Sequence, residues 1–370
     1  MAPTVVHVIV SLVHGGAERT LTRIVPDGGT DVDGTRHIVV TLRDGGAFRP
    51  ALDARGVQVI SLGMRPGPSA LLGWWRLVRV LRRARPDLVL TWLYHADLLG
   101  TLAAPFARSP RLVWNLRGTA KLAGGSPWHT RVTVRVLALL SRRPWAVAAN
   151  SRAGRADHEA IGYRPRRWCY LPNGFDTDVW APDLEDRAAV RSELGLHDEI
   201  AVVMVARVHH QKDHATLLAA WQEVTAVIPD GVRLVLVGAG TEELTAATTA
   251  QDRVLALGSR EDVPRLLRGC DLAVLSSAYG EGLPNVVAEA MATGLPAVVT
   301  DVGDAALLVD DTGWVAPPSD PEALAAALRA AIGAQPAERT RRGERARQLI
   351  VDRWSLEGSR GAYRRLIDAR

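Results

Sequence analysis

The chain alternates short apolar runs with amphipathic segments along almost its whole length. Helical patterns such as "SALLGWWRLVRVLRRAR" and "ATLLAAWQEV" lie between runs of Val, Ile and Leu that have the length of strands. Continuous β-branched runs joined by crossover helices are typical of buried parallel strands. The order strand–helix–strand in both halves predicts an α/β protein with two doubly wound, Rossmann-like sheets. The predicted strands lie in HVIV, HIVVTL, VQVISL, DLVLTW, RLVWNL, AVAAN, EIAVVMVAR, VRLVLVGAG, RVLALG, DLAVLSS and PAVVTD.

A stretch rich in Pro, Asn, Gly and Asp separates the two series of strands. It has the sequence "YLPNGFDTDVWAPD", and a new strand–helix series begins after it at Glu199. Such a change in composition is typical of a boundary between domains. We expect a hinge at about residues 172–184, an N-terminal domain over 1–175 and a C-terminal domain over 176–355.

Length and composition agree with this organisation. A chain of 370 residues favours two domains over one core. A hydrophobic fraction of 47% excludes a disordered chain, and no apolar run is long enough to cross a bilayer. The opening "TVVHVIV" is interpreted as a first strand and not as a signal peptide. Since Cys169 and Cys270 are far apart, we expect reduced thiols and a cytoplasmic protein.

The net charge of +5 raises the question of a polyanionic partner. The basic residues are not interleaved with aromatic ones as in nucleic-acid-binding surfaces, so no nucleic-acid partner is expected. The segment over 73–87 is a basic amphipathic helix with Trp74 and Trp75. Two interpretations stay open for it: a helix packed on the N-terminal sheet, or a helix that rests on an anionic membrane surface.

Ligands of doubly wound sheets bind beyond the carboxyl ends of the strands, so motifs at those ends carry the candidate chemistry. The segment "SLVHGGAER" follows the first strand. Its glycines, including Gly16, allow the backbone at a helix start to approach an anion closely. The glycine fingerprint of dinucleotide-binding proteins is absent here and in "VGAGTEEL", which disfavours a dehydrogenase.

A second motif, "VARVHHQKDH", begins the C-terminal half. Arg207 ends a predicted strand and Lys212 precedes a helix, so both cations lie where a diphosphate can bind. His210 and His214 have a spacing that is found in metal ligands, but neither a glutamate-bearing zincin pattern nor a cysteine accompanies them. We therefore expect no metal site here.

The third motif, "GEGLPNVVAEAMATG", places two carboxylates in different settings. Glu281 lies in a loop between glycines, and Pro284 is suited to the first turn of the helix that contains Glu289. The free amides of that helix start attract a phosphate. Glu289 is placed to accept hydrogen bonds from a ribose diol, and Glu281 to contact another hydroxyl group of the same ligand. The motif therefore predicts a site for a sugar nucleotide.

Together these motifs resemble glycosyltransferase family four. The resemblance rests on E-x7-E in "EGLPNVVAE", on "GGAER", on the Arg/Lys pair of "ARVHHQKDH" and on "LPNGFDTD", in the order of the family. It implies the GT-B fold, in which two Rossmann-like domains face an interdomain cleft. It also implies that the C-terminal helix, over 356–370, crosses back onto the N-terminal domain.

The resemblance assigns roles to individual residues. It implies catalytic roles, a donor site and, less specifically, an acceptor site. The residues implied as catalytic are His95, Arg207, Lys212 and Glu281; those for donor binding are Gly16, Gly282, Leu283, Pro284, Asn285 and Glu289; those for the acceptor are Arg117 and Lys121.

The implied reaction is the transfer of a sugar, with retention of configuration, from a nucleotide-diphosphate sugar to a hydroxyl group. UDP is the favoured nucleotide of the donor, and neither a metal nor another cofactor is expected. The acceptor is left open between a lipid-linked molecule of cell-surface glycan assembly and a small natural product. The expected location is the cytoplasm, with peripheral contact to the inner face of the membrane as an open alternative. The alternative functions are a GT-B sugar-nucleotide epimerase and a non-catalytic nucleotide-sugar-binding protein.

Overall fold

The computed structural model describes residues 2–13, 15–65, 69–107, 111–120, 127–228, 230–244 and 253–369. The chain divides into two compact units. Unit 1 comprises Met1–Gly174 together with Leu356–Arg370, and unit 2 comprises Phe175–Ser355.

Unit 1 is built on a parallel sheet, which has seven strands within the described residues. Its strand order is β3-β2-β1-β4-β5-β6-β7. The strands are β1 Thr4–Ile9, β2 Arg36–Thr41, β3 Gln58–Ser61, β4 Leu88–Trp92, β5 Leu112–Leu116, β6 Ala146–Ala149 and β7 Trp168–Tyr170. The helices are α1 Gly16–Ile24, α2 Arg49–Ala54, α3 Ser69–Ala84, α4 Tyr94–Ala107, α5 Trp128–Leu140, α6 Arg152–Ala160 and α15 Leu356–Asp368.

Both faces of this sheet are covered, because side chains alternate between the faces along each strand. In β1, Val5 and Ile9 contribute to the apolar cluster that contains α1 and α15. Val6 and Val8 contribute to the cluster on the opposite face, which contains α3, α4 and α5. Burial on both faces explains why these strands are continuous apolar runs in the sequence.

The C-terminal helix α15 is part of the core of unit 1. Tyr363, Leu366 and Ile367 are buried in the same cluster as the first strand. The guanidinium of Arg111 also donates hydrogen bonds to the last carbonyl groups of this helix, including that of Ile367 at 2.7 Å. The helix is therefore an integral layer of the unit.

Unit 2 has a second parallel sheet, with the order β10-β9-β8-β11-β12-β13 in the part of the chain that is described. Its strands are β8 Ile200–Val205, β9 Val232–Val237, β10 Val254–Ala256, β11 Leu272–Leu275, β12 Ala297–Thr300 and β13 Trp314–Ala316. Its helices are α7 Leu184–Glu193, α8 His214–Val227, α9 Thr241–Leu244, α10 Val263–Arg268, α11 Asn285–Ala292, α12 Ala305–Val309, α13 Pro321–Gly333 and α14 Pro336–Trp354.

The predicted strands are confirmed, and the sheets contain β7 and β13 in addition. Each of these added strands is three residues long and forms the edge of its sheet. A strand this short is paired on one side only and lacks the long apolar run of a central strand. The pattern does not reveal β7 and β13, whereas β10, equally short and also at an edge, lies in the longer apolar segment RVLALG and is predicted.

The basic segment predicted over 73–87 belongs to α3, which begins earlier, at Ser69, and ends at Ala84. Trp74 packs edge-on against Phe106 of α4, with ring centroids 5.3 Å apart. Trp75 leaves 56% of its surface exposed. The helix therefore packs on unit 1 and also presents an aromatic side chain outward, and peripheral membrane contact stays a prediction. Among the described helices, none has both the length and the apolar character that crossing a bilayer requires.

Candidate active site

The strand order of unit 2 brings two of the predicted motifs together. Strands β8 and β11 are neighbours, although they are far apart in the chain. The helix after β8, α8, packs on one face of the sheet through Leu217 and Trp221. The helix after β11, α11, packs on the other face through Val287 and Met291. Chain segments that leave adjacent strands toward opposite faces leave a crevice at the carboxyl ends, where ligands of such sheets bind.

Lys212 and Glu281 meet at this crevice. Nζ of Lys212, from the segment after β8, lies 2.5 Å from Oε1 of Glu281, from the segment after β11. Only 21% and 10% of the two side chains are exposed. The pair is thus shielded from bulk water, where an ion pair is stronger than on an open surface.

Several hydrogen bonds hold the two loops in register. Ser277 donates its hydroxyl proton to Oε1 of Glu281 at 2.7 Å. The hydroxyl of Ser276 donates to the carbonyl of Lys212 at 2.8 Å, and the amide of Ala278 donates to the carbonyl of Gln211 at 2.9 Å. Ser276 and Ser277 were not among the predicted site residues. Their signal in the sequence is a pair of serines at the carboxyl end of an apolar strand, "DLAVLSS".

The segment that follows Glu281 begins α11. Pro284 is the N-cap residue and Asn285 opens the helix, so the proline directly precedes the first turn instead of lying within it. Leu283 is buried in the core of unit 2, and Gly282 accepts a 2.8 Å hydrogen bond from the amide of Asp304. The start of α11 is therefore fixed from both sides, with its first amide groups at the crevice.

Glu289 lies in the second turn of α11 and is only 2% exposed. A buried carboxylate is costly unless polar groups surround it. This burial sets Glu289 apart from a solvated glutamate on a helix surface.

Arg207 follows the end of β8, and its side chain is exposed. The backbone before it is tightly packed, because Gly238 has a φ of 144° and a Cβ there would collide with the carbonyl group of Ala206. Two histidines near it are in contact, with His209 and His210 ring centroids 4.0 Å apart and the ring planes tilted by 34°. No cluster of three or more His, Cys, Asp or Glu side chains that could hold a metal occurs among the residues described. Independence from metals stays a prediction.

Unit 1 has its own crevice between β1 and β4, since its strand order also reverses there. Gly16 is the first residue of α1, the helix that follows β1, and Gly15 is its N-cap. The carboxylate of Glu18 folds back over this turn, where a Cβ on Gly15 would collide with it. Burial raises the pKa of Glu18.

His95 lies on the β4 side of the same crevice, in the first turn of α4. Its ring is half-buried, and its centroid is 5.6 Å from that of His129 at the start of α5. Burial lowers the pKa of His95, and the nearby His129 and Arg43 lower it further. At neutral pH the imidazole is therefore neutral and can both donate and accept a hydrogen bond.

Arg117 takes part in a network of contacts within unit 1. Its guanidinium is buried, donates to the carbonyl of Leu171 at 2.9 Å, and also bonds Asn173. It further contacts Tyr363 of α15 at 3.3 Å and lies over the ring of Trp92. These contacts join the end of β5 to the C-terminal helix, and an acceptor role of Arg117 stays a prediction. Lys121, the other predicted acceptor residue, lies outside the described residues.

Both units match known protein families. Residues 14–179 match the family model described as Glycosyltransferase Family 4. Residues 199–333 match the model described as Glycosyl transferases group 1. Both units are thus similar to glycosyltransferases, and the two Rossmann-like sheets place the chain in the GT-B fold class.

Solved structures and curated relatives agree with this class. HepE of Anabaena, solved in complex with UDP and glucose, has a TM-score of 0.83 and 25% identity, with full coverage of both chains. WaaG, a glycosyltransferase of lipopolysaccharide biosynthesis, has a TM-score of 0.72 and 19% identity over 99% of this chain and all of that one. Because its identity is low, the similarity to WaaG shows a shared fold alone.

Two curated relatives act on lipid-linked sugars according to their names. One is the UDP-Gal:alpha-D-GlcNAc-diphosphoundecaprenol alpha-1,3-galactosyltransferase of Escherichia coli, 26% identical over 61% of this chain and 60% of its own length. The other is the GDP-mannose-dependent alpha-(1-6)-phosphatidylinositol monomannoside mannosyltransferase of Mycolicibacterium smegmatis, 32% identical over 52% of this chain and 54% of its own length. The chain thus spans somewhat more than half the length of these relatives.

Proposed function

We propose that this protein transfers a sugar from a nucleotide-diphosphate sugar to a hydroxyl-bearing acceptor, with retention of the anomeric configuration. The observation that carries the proposal is the meeting of Lys212 and Glu281 at the β8/β11 crevice, beside the first amides of α11. A cation, a carboxylate and the amides at a helix start provide partners for a diphosphate and for sugar hydroxyl groups.

The proposed roles follow from these positions. Lys212 and the exposed Arg207 offset the negative charge that develops on the leaving diphosphate, as do the amides of Gly282, Leu283 and Asn285. Glu289 accepts hydrogen bonds from the ribose hydroxyl groups. Glu281 orients Lys212 and contacts the donor sugar.

The reaction is a substitution at the anomeric carbon. The bond from that carbon to the diphosphate oxygen breaks, and the acceptor oxygen bonds to the same face of the sugar. The acceptor proton passes to the leaving diphosphate. Retention is supported by the resemblance of the E-x7-E motif to family four, and NMR of the product's anomeric proton tests it.

A UDP-sugar is the proposed donor, and the UDP complex of HepE supports this choice. The named relatives in turn support an acceptor that is linked to a lipid through phosphate. Neither a metal nor another cofactor is proposed, because Lys212, Arg207 and the α11 amides supply the compensating positive charge. Cell-surface glycan assembly at the inner face of the membrane is the setting that such an acceptor implies.

Calorimetric titration with UDP, GDP and ADP tests the donor site. We expect UDP to bind most tightly and Glu289→Ala to weaken its binding by about tenfold or more, as the loss of a hydrogen bond to a charged group predicts. Glu322→Ala, which removes an exposed carboxylate of α13, is the matched control. Equal affinities of wild type and Glu289→Ala for UDP would exclude the ribose role.

Incubation with a UDP-sugar alone separates the alternatives. A glycosyltransferase is expected to release UDP slowly by hydrolysis and to accelerate when an acceptor is added. An isomerised sugar nucleotide would identify an epimerase instead. Binding with neither hydrolysis nor transfer would identify a non-catalytic binding protein.

A further inference from the structure

We infer that unit 1 binds its acceptor through a phosphate or diphosphate group, held by Arg43, His95 and His129. The inference rests on the proposed function and adds to it the residues that recognise the phosphate of the acceptor. Arg43 and His129 were not among the candidates that the sequence indicated.

The three side chains come from different elements, and the two imidazoles lie side by side. Arg43 follows the end of β2, His95 lies in the first turn of α4, and His129 is the second residue of α5. The imidazole centroids of His95 and His129 are 5.6 Å apart. Arg43 is close enough for its charge to act on His95. The cluster therefore lies where β2 and β4 end and where α5 begins.

The loop that contains Arg43 is held against the exit of β1. The amide of Arg43 donates to the carbonyl of Val10 at 2.9 Å, and the amide of Phe48 donates to that of Leu12 at 2.9 Å. Gly46, with a φ of 113°, packs so closely on the backbone of Leu12 that no side chain would fit. Arg43 is thus kept beside the β1/β4 crevice, where a ligand of unit 1 is expected.

Among the described residues, two carboxylates lie in this region, and neither pairs with the three side chains: Asp44 accepts a hydrogen bond from Ser61, and Glu18 folds over Gly15. The two charged groups that act on His95, Arg43 and His129, are both basic, and each disfavours protonation of the imidazole. Within the described residues, none of the three side chains forms an ion pair. Basic groups that lack a carboxylate partner produce a positive potential that attracts an anion. A bound phosphate would in turn favour the protonated imidazoles and gain further hydrogen bonds.

An exposed tryptophan next to His129 could contact the part of the acceptor that adjoins the phosphate. Trp128 precedes His129, and 70% of its surface is exposed. The two rings lie edge to face with centroids 6.2 Å apart. An exposed indole offers apolar area to a sugar ring or to the first carbons of a lipid. Anion recognition and apolar contact are thus adjacent at the start of α5.

The test uses the full chain saturated with UDP, so that added anions do not compete for the donor site. Pyrophosphate is the probe, and methyl α-glucoside is the uncharged control. We expect pyrophosphate to bind the wild type, and Arg43→Ala and His129→Ala to weaken this binding by about tenfold each, as the loss of a charged hydrogen bond predicts. Arg142→Ala removes an exposed arginine just after the end of α5 that is farthest from His129. This variant is expected to bind pyrophosphate as the wild type does.

Each outcome is informative. Pyrophosphate binding that is absent in the wild type, or equal in all variants, overturns the inference while leaving the donor site untouched. Failure of the wild type to bind UDP would instead count against the proposed function. Stronger binding of geranyl diphosphate than of pyrophosphate would indicate a lipid-linked acceptor, and stronger binding of glucose 1-phosphate would indicate a soluble sugar phosphate. Circular dichroism of each variant establishes that it is folded.

Discussion

Lys212 shows how one residue depends on its surroundings. It is one of two lysines in a chain whose other cations are arginines. Its ammonium group is compact and can contact Glu281 and a phosphate together, whereas a planar guanidinium needs a wider, flat partner. The 2.5 Å contact with Glu281 holds it in position before any ligand binds.

Replacing Lys212 by methionine keeps the length of the side chain and removes its charge. We expect kcat/KM for transfer to fall by about a hundredfold or more, because a fixed charge that stabilises a developing anion contributes on this scale. The rate is measured as UDP release with donor and acceptor present. Arg142→Met is the control, and a turnover equal to that of wild type in Lys212→Met would contradict the diphosphate role.

Arg117 shows that two residues with similar local sequence can have different surroundings in the fold. Its position after a strand is the same kind of position that Arg207 has, so the local sequence does not distinguish the two residues. The fold buries Arg117 among Leu171, Asn173 and Tyr363 and leaves Arg207 exposed. Tyr363 is distant in the chain, and its contact depends on where α15 packs.

At the scale of elements, the site depends on two loops and on the turn that supports them. The amide of Asp304 donates to the carbonyl of Gly282, and Gly303 lies directly against the carbonyl of Glu281. The loop after β12 thereby supports the loop that contains the first glutamate. A change in this supporting turn should reach the donor site without touching any ligand-binding side chain.

Gly303→Ala tests this support. Gly303 has a φ of 66°, and an added Cβ would collide with the backbone carbonyl of Glu281. Gly294→Ala is the matched control, since Gly294 has a φ of 86° but open space around it. Both variants should lose about 1 kcal/mol of stability through backbone strain, and Gly303→Ala should lose more because of the collision. We expect only Gly303→Ala also to weaken UDP binding by calorimetry, and equal UDP affinities of the two variants would exclude the coupling.

At the scale of the whole molecule, the core of unit 1 contains a polar chain that is sensitive to acid. The indole of Trp92 donates to Nδ1 of His7 at 3.4 Å, and Nε2 of His7 lies 3.0 Å from Nδ1 of His37. Nε2 of His37 lies 3.3 Å from the carboxylate of Asp31. Because an indole only donates, the chain is satisfied when both imidazoles are neutral and carry their protons on Nε2.

Acid should therefore destabilise the protein. Burial lowers the pKa of His7 well below its usual value, and the nearby His37 lowers it further. Burial also lowers the pKa of His37, against the opposing effect of Asp31. The unfolded chain then binds more protons than the folded one, so the free energy of unfolding falls as the pH drops below about 6.5.

Thermal melts between pH 7.5 and 5 measure this dependence. The wild type should show a melting temperature that falls with pH. The double variant His7→Met/His37→Met should show a weaker dependence, with the remainder due to other buried histidines such as His158, whose pKa burial also lowers. Parallel curves for the two proteins would show that the pair does not titrate on unfolding.

The sequence by itself determined the class of fold and most of its strands. A central parallel strand is buried on both faces, so its apolar run is continuous and visible in a linear pattern. The same holds for motifs such as "EGLPNVVAE", in which glycine, proline and the carboxylates act within one strand-to-helix segment. Interactions within one segment depend on the sequence of that segment alone. For this reason the candidate residues of unit 2 could be predicted from the sequence.

Only the tertiary structure decided which strand exits are neighbours. The order β8–β11 places Lys212 on Glu281, and the elements of unit 1 bring Arg43 and His129 to His95. Burial of Arg117 and the short edge strands β7 and β13 were decided in the same way. These features depend on contacts between segments that are distant in the chain, and no periodicity within one segment encodes such contacts.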